Sequence, residues 1–375
     1  MSGRVAVLSR CGSPVVPPST QAIGTSTTMS GKKNRRAPSA TPWDDLPESQ
    51  ITPSQAIAKA AHNGIYAFRH ERFSGDADFF NGYPRSECPH CGSARIKRNG
   101  TNRNGVQVYR CMSCGRTSTP ITGTIFDNSK LPITAWVDFV LQAISFESIA
   151  SMTREDRRAD TTPPYWMAKV FEVLEGVQDD ILLGGRVWID ESFHPVAEKD
   201  AVRKPDGKLP RGLSRNQLCI GVGTDASGNN LLIHEGFGKT NKTKTWDGFG
   251  THIKTGSTLL HDMEHAHSVL VDRLSLESEA YDAKLLKGLP DELNPLQPVN
   301  RLCFLLKCFL RAHSGFNRDN IQGYLNLFSV AMNPPADKLE KAAFVLDRAM
   351  RCPKTLRFRD FYNVKPRTEG CEIED

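Results

Sequence analysis

The sequence has no long apolar run, which excludes a protein built into a membrane. Mean hydropathy is −0.41, and no stretch approaches the roughly 20 apolar residues that a spanning helix needs. The first apolar stretch, residues 5–8, is too short for the core of a signal peptide. The 39% hydrophobic content of the 375 residues is ordinary for two or three globular domains. We therefore expect a cytoplasmic protein without a membrane partner.

The sequence also lacks the features of a disulfide-stabilised protein, although it holds ten cysteines. The chain is large and has no secretion signal, so its thiols are expected to stay reduced. Four cysteines form a metal-binding pattern. The other six are scattered and are predicted to be mostly small core residues: Cys11, Cys219, Cys303, Cys308, Cys352 and Cys371.

Positive charge is concentrated in the first third of the chain. Residues 1–130 contain 17 Lys and Arg against 8 Asp and Glu, whereas the remainder contains 31 against 34. A basic region favours a polyanionic partner, because phosphate contacts supply most of the non-specific affinity for DNA. A solvated basic tail gives the same composition, so charge alone leaves DNA binding open.

The clustered cysteines predict a zinc ribbon. Cys88 and Cys91 form one CxxC turn, and Cys111 and Cys114 form a second. Nineteen residues lie between the two turns. Two such turns supply four thiolates to one tetrahedral ion, and a site closed in this way is structural. Basic residues around the cysteines favour contact with a phosphate backbone, although such a module can also contact protein: Arg95, Lys97, Arg98, Arg103, Arg110 and Arg116.

Apolar periodicity predicts a helical region followed by a mixed α/β region. Two amphipathic helices lie between 130 and 180, the first opening at Pro132 and the second covering about 164–177. Such a pair fits a helix-turn-helix, but ordinary packed helices give the same pattern. From residue 185, strands come first and then alternate with helices. The segment DASGNN between two apolar runs predicts a hairpin.

Two of the predicted strands end in an acid. Asp190 closes VWID, and Asp262 closes TLLHD. Strand ends in an α/β sheet meet at the edge where sites form, so this pair predicts a functional site. A helix over about 299–313 adds a third element: Asn300 and Lys307 lie seven residues apart, about two turns, and Arg311 follows on the same side. An ordinary solvated helix face gives the same arrangement.

Together, these motifs resemble the zinc-ribbon insertion-sequence transposases of the DDE superfamily. The resemblance is carried over residues 80–335 by CPHCGS, YRCMSCGRTSTPITGTIF, VWIDES, LLHDMEHAH and VNRLCFLLKCFLRAH. In a large group of these enzymes the third catalytic position is Asn, followed seven residues later by Lys. Asp190, Asp262, Asn300 and Lys307 match those four positions.

The resemblance implies an RNase H-like catalytic domain that cuts and joins DNA with two Mg²⁺ or Mn²⁺ ions. Asp190 would bridge both ions, Asp262 would hold one, and the amide oxygen of Asn300 would hold the other. Lys307 would contact the DNA backbone, and Arg311 is expected beside it. The implied partners are double-stranded DNA, as element ends and as target, and further copies of the chain on that DNA.

Six segments follow from the composition and the resemblance. They are a disordered basic arm (1–48), a helical lead-in (49–83), a zinc ribbon (84–127), a helical DNA-binding segment (130–180), an RNase H-like domain (185–335) and a C-terminal helix and tail (336–375).

Several alternatives stay open at the level of sequence. Glu191, Glu264 or Glu292 could replace Asn300 as a ligand, and the histidines around Asp262 could bind a transition metal, line the DNA path or satisfy local hydrogen bonds. These histidines are His261, His265 and His267. The whole protein could also be a domesticated, inactive DNA-binding protein, an RNase H-like nuclease or a zinc-ribbon transcription factor.

Overall fold

A computed structural model describes residues 41–70, 75–129, 131–156, 159–313, 316–352 and 354–362. The chain divides into two units, Met1–Ala40 and Thr41–Asp375. Most of the predicted basic arm, and residues 363–375 of the predicted tail, therefore lie outside the described residues. No helix within the described ranges is both long and apolar enough to cross a bilayer.

Twelve α-helices occur in the described ranges. They are α1 Pro53–His70, α2 Asp76–Asn81, α3 Ile133–Ile144, α4 Ile149–Asp156, α5 Thr162–Leu174, α6 Lys242–Phe249, α7 Ser268–Leu274, α8 Ala283–Leu286, α9 Gln297–Ala312, α10 Ile321–Met332, α11 Lys338–Arg351 and α12 Phe358–Tyr362. Eight strands accompany them. They are β1 Ile96–Thr101, β2 Gln107–Cys111, β3 Thr117–Ser118, β4 Arg186–Pro195, β5 Gln217–Asp225, β6 Asn230–Phe237, β7 Thr258–Asp262 and β8 Glu277–Tyr281.

The larger sheet is mixed, with strand order β6-β5-β4-β7-β8. The first three strands are mutually antiparallel, whereas β7 and β8 run parallel to β4. The predicted hairpin is confirmed: β5 and β6 pair, and the Asp225 carboxylate accepts hydrogen bonds from the backbone of Ser227 and Asn229 in the turn. A mixed helix-and-sheet architecture is thus present, as predicted, and is consistent with an RNase H-like fold.

The two faces of this sheet pack against different helices. Alternate side chains of a strand point to opposite faces, so Val187 and Ile189 join the core formed with α6 and α7. Trp188 packs on the other face, against the larger core that includes α9 and α10, and its indole N–H donates to the carbonyl of Pro295 in the segment before α9. This alternation determines which face each polar residue after Ile189 can reach.

The helices before the sheet share its larger core. Trp136 of α3 and Trp166 of α5 stack with ring centroids 3.9 Å apart, and α5 packs on α10 and α11. Buried Lys169 donates from α5 to the carbonyl of Ile125 and fixes the segment that follows the cysteines. The predicted helices are therefore present, and a further helix, α4, lies between them. The segment boundaries predicted above stay predictions.

Candidate functional site

Asp190 and Asp262 lie next to each other at one edge of the sheet. The parallel pairing of β4 with β7 ends at Ile189 and His261, and the next residue of each strand is one of the two acids. One expectation was wrong: β4 does not end at Asp190, because the residues up to Pro195 continue to pair with β5. Only the pairing between β4 and β7 ends there. Both carboxylates therefore lie just beyond the last paired residues of these two parallel strands.

The Asp190 carboxyl group is in an environment that opposes its ionisation. Burial raises its pKa to about 6, and the neighbouring charges of Glu191 and Asp262 add to this effect. The backbone N–H of Glu191, which donates to Asp190 Oδ1 at 2.8 Å, acts in the opposite direction. Clustered carboxylates with this arrangement are suited to a divalent cation, because the cation removes the repulsion and replaces the lost water.

Helix α9 lies over the same edge. Its buried stripe consists of Val299, Leu302, Cys303, Leu306, Phe309 and Leu310. Leu305 of the same helix is partly buried against this core. Burial raises the pKa of Cys303, and the charge of Asp190 raises it further, so this turn of α9 lies close to the acid.

Asn300 and Lys307 lie on the same helix at exposed positions. In the part of the chain that the structure describes, neither side chain has a hydrogen-bond or ion-pair partner. Arg311 is exposed as well. Helix α9 thus carries an amide and two cations at exposed positions. The charge of Arg311 acts on His194, four residues beyond Asp190 along β4. The roles of the three residues remain those that the sequence proposes.

The glutamates considered as substitutes for Asn300 have other contacts. Glu191 Oε1 lies 2.8 Å from His267 Nε2, and Glu264 forms an ion pair with Lys239 at 2.9 Å. Glu292 lies in an exposed turn before α9. The contact between Glu191 and His267 joins residues 76 positions apart, and no sequence pattern could have shown it.

Two of the three histidines near Asp262 are buried in a hydrogen-bonded cluster. His267 Nδ1 lies 3.2 Å from His261 Nδ1 and 3.7 Å from Asp262 Oδ1. His261 Nε2 lies 3.0 Å from the hydroxyl of Ser278 on β8, a strand that the sequence had not predicted. His265 is exposed. Local hydrogen bonding, one of the roles left open for these residues, is confirmed for His261 and His267.

Protonation of the two buried histidines differs. Burial acts to lower the pKa of His267, but the hydrogen bond and charge of Glu191, with the charges of both aspartates, raise it above its ordinary value. Burial lowers the pKa of His261 to about 4, and the charge on His267 lowers it further. Without a metal ion, the pair therefore carries its proton on His267.

The four predicted zinc ligands form a second cluster. The sulfur atoms of Cys88 and Cys114 lie 3.7 Å apart, as do those of Cys91 and Cys111. Zinc–sulfur bonds of about 2.3 Å in a tetrahedron place sulfur atoms roughly 3.8 Å apart, so the donor set fits Zn²⁺. Backbone N–H groups of Cys114 and Ser113 lower the pKa of Cys111 to about 6, which favours the thiolate. This four-cysteine cluster could form a zinc site.

A small antiparallel sheet, β1-β2-β3, surrounds these cysteines and presents basic side chains. All six predicted basic residues of this module are exposed. Lys97 of β1 lies directly opposite Arg110 of β2, and like charges in this position repel unless an anion compensates them. The ring Nε2 of His90, which lies between the first two cysteines, is 3.2 Å from the carbonyl oxygen of Thr117.

Comparison with known proteins gives a weak result. No protein-family model and no curated protein matches the chain. Among solved structures, similarity is found to the Mos1 mariner paired-end complex with Mn, at 14% identity over 50% of this chain and 59% of that chain, with a TM-score of 0.24. A pre-cleavage Mos1 transpososome is similar at 11% identity over 58% of this chain and 76% of that chain, with a TM-score of 0.23. At these TM-scores the function has to be argued from the residues themselves.

Proposed function

We propose that the protein is an insertion-sequence DNA transposase that binds element ends and catalyses metal-dependent strand cleavage and strand transfer. The observation that carries the proposal is the pair Asp190 and Asp262, adjacent at the end of two parallel strands, with the pKa of Asp190 raised to about 6. Perturbed carboxylates that cluster at a sheet edge are typical of sites that bind cations or transfer protons.

The carboxylates would hold divalent metal ions at this edge. Asp190, Asp262 and Asn300 would hold two ions through oxygen atoms, the ligand type that Mg²⁺ and Mn²⁺ prefer. When bound, such a pair of ions activates the attacking oxygen and stabilises the leaving oxygen of a phosphodiester. Because Asn300 is neutral, this site has one negative charge fewer than one with three acids.

The cations on α9 would place the DNA. Lys307 and Asp190 both act on the buried thiol of Cys303, so a phosphate bound at Lys307 would lie on the side of the acids. Arg311 is exposed one turn farther along the helix and would hold the adjoining DNA backbone. The basic β1-β2-β3 module would bind the element end, since its Lys97 and Arg110 face each other without a compensating carboxylate in the described ion pairs. Oligomerisation on DNA would bring two ends together.

The Asp262→Asn variant tests the catalytic assignment. We expect it to lose strand cleavage and transfer by more than about a hundredfold, because one metal ligand contributes several kcal/mol to the transition state. It should still bind an element end, since the basic module is unchanged. The measurement is cleavage and joining of labelled end DNA with Mg²⁺, beside a gel-shift assay of the same DNA.

Asp272→Asn is the matched control, because Asp272 is exposed on the neighbouring helix α7. It should cleave and join as the wild type does. Strand transfer retained in Asp262→Asn would show that the catalytic acid is wrongly assigned. A wild type that cuts without joining would be a nuclease, and one that binds without cutting would be an inactive DNA-binding protein.

A further inference from the structure

We infer that His261, Asp262 and His267 form a further metal site, for a transition metal ion such as Zn²⁺. One donor atom from each residue, a ring nitrogen from each histidine and a carboxylate oxygen from Asp262, lies within 4.8 Å of the other two. This site differs in ligand chemistry from both the four-cysteine cluster and the proposed oxygen-lined Mg²⁺ site.

The donor separations suit a tetrahedral ion. Zinc–nitrogen bonds of about 2.0–2.1 Å place tetrahedral ligand atoms roughly 3.3–3.4 Å apart. The two Nδ1 atoms are 3.2 Å apart, and His267 Nδ1 lies 3.7 Å from Asp262 Oδ1. A small shift of the partly exposed Asp262 side chain would bring all three donors to bonding distance of one ion.

The far side of each imidazole ring is held as in a metal-binding histidine. Ligating histidines almost always place their second nitrogen against a carboxylate, a carbonyl or water, which fixes the ring and its tautomer. His267 Nε2 donates to the Glu191 carboxylate at 2.8 Å, and His261 Nε2 contacts the Ser278 hydroxyl at 3.0 Å. Both rings therefore direct Nδ1 to the same point.

This convergence requires either the hydrogen of a ring N–H or a metal ion between the rings. A carboxylate only accepts hydrogen bonds, so His267 Nε2 carries a proton and the Nδ1 of the neutral ring presents a lone pair. Two facing lone pairs at 3.2 Å repel, and either a proton or a metal ion has to lie between them. In the metal-free protein, the two Nδ1 atoms share one hydrogen bond. A metal ion can take the place of the hydrogen in that bond.

The site is also open on one side. His261 and His267 are buried, but the Asp262 side chain keeps 35% of its surface exposed, which provides an entry path. Three protein ligands leave the fourth tetrahedral position to water. Imidazole ligands favour zinc, cobalt, nickel and copper over magnesium, so Mg²⁺ would not compete for this position.

Occupation of this site would interfere with the proposed reaction. Asp262 is shared, so an ion held by the histidines would draw its carboxylate away from the catalytic Mg²⁺ ions. Zinc should therefore inhibit strand transfer. This consequence rests on the proposed function, whereas the binding of the ion does not.

Metal titration of the full chain tests the site. The probe is Co²⁺, added to protein whose four-cysteine cluster is already filled with Zn²⁺, followed by calorimetry and visible absorption. We expect one further ion to bind, with the absorption of tetrahedral cobalt and without thiolate charge transfer. His261→Gln and His267→Gln should each weaken this binding at least tenfold, and Glu191→Gln should weaken it by about 10- to 100-fold.

His265→Gln is the matched control, because His265 lies in the same turn but is exposed. It should bind the second ion as the wild type does. The inference is overturned if the wild type takes up no second ion, or if Glu191→Gln and both histidine variants, shown to be folded by circular dichroism, bind it unchanged. No DNA is used, so failure here is distinct from failure of the strand-transfer assay.

Discussion

At the scale of single residues, the candidate site places charge where the folded protein would be more stable without it. Asp190 is partly buried beside Glu191 and Asp262, and burial with this repulsion raises its pKa to about 6, from an ordinary value of 3.8. A residue that destabilises the folded state in this way is typical of a functional site, because function and not stability explains its presence.

The Asp190→Asn variant should therefore be more stable than the wild type and inactive in strand transfer. A pKa raised by about two units corresponds to roughly 2–3 kcal/mol at pH 7, which the neutral amide avoids. Because the folded-state pKa lies above the unfolded value, the wild type is relatively most stable below pH about 4 and loses this contribution as the pH rises through 6. The stability gained by the variant should grow over the same range.

Urea unfolding from pH 4 to 8, on zinc-loaded protein without other divalent ions, measures this difference. Asp247→Asn is the control, since Asp247 is exposed on α6 and its charge should contribute little. A variant at Asp190 that is no more stable than the wild type at pH 7, or whose gain does not change with pH, would refute the electrostatic explanation.

Part of the site could be predicted residue by residue. Asp190 and Asp262 were identified because each ends an apolar run with an acid, and neighbouring strands bring such residues together. The contact of Glu191 with His267 was out of reach, because alternation along β4 sends Glu191 to the face opposite Trp188 and the partner comes from the turn that follows β7. Only the order of strands in the sheet fixes that contact.

At the scale of elements, the sequence predicts correctly those strands and helices that are buried on one face or on both faces. Apolar runs and amphipathic periodicity predicted β5, β6 and α9. The edge strand β8 was missed because its residues, ESEAY, are largely polar, and only its pairing with β7 makes it a strand. Strand β4 is longer than predicted for a similar reason, since residues after Asp190 are held by backbone pairing with β5.

The small sheet β1-β2-β3 should depend on zinc for its folding. Its strands have six, five and two residues, and few of their side chains are buried. A structural zinc ion contributes about 10–16 kcal/mol of apparent binding free energy, far more than so small a core can supply. Removal of zinc should thus unfold residues 88–118 and weaken DNA binding.

Hydrogen exchange after treatment with a chelator measures this effect. Backbone amides of β1 and β2 should lose their protection, whereas those of β5 should keep it, because β5 lies in a sheet with its own apolar core on both faces. Unchanged protection in β1 and β2, or unchanged DNA affinity, after verified loss of zinc would contradict the proposed role of this module.

At the scale of the whole molecule, the basic part of the chain and the hydrophobic core do not end at the same residue. The basic excess belongs to the first 130 residues, yet the segment after the cysteines is attached to the larger core through Ile125, Phe126 and the Lys169 hydrogen bond. Composition could reveal the charged region but not this attachment, since the partners of Ile125 and Phe126 are set by packing. The basic module is thereby connected to the helices that cover the sheet.

The exposed cations of this module predict that it contributes a salt-dependent part of the DNA affinity. Each phosphate neutralised by a protein cation contributes about 0.9 to the slope of log K against log salt concentration. Replacing both Lys97 and Arg110 with Gln should reduce that slope by up to about 1.8 and weaken binding to all DNA sequences alike. It should also stabilise the module slightly, because the two cations repel each other across the strands.

Fluorescence anisotropy with labelled duplexes over a series of salt concentrations gives the slope directly. The control is Lys287→Gln, an exposed lysine outside the β1-β2-β3 module and without a proposed role in the catalytic site. A double variant with the wild-type slope would place the phosphate contacts elsewhere, whereas a loss confined to one DNA sequence would mean that Lys97 and Arg110 read bases. Uniform weakening with a reduced slope is the result that a backbone-binding surface requires.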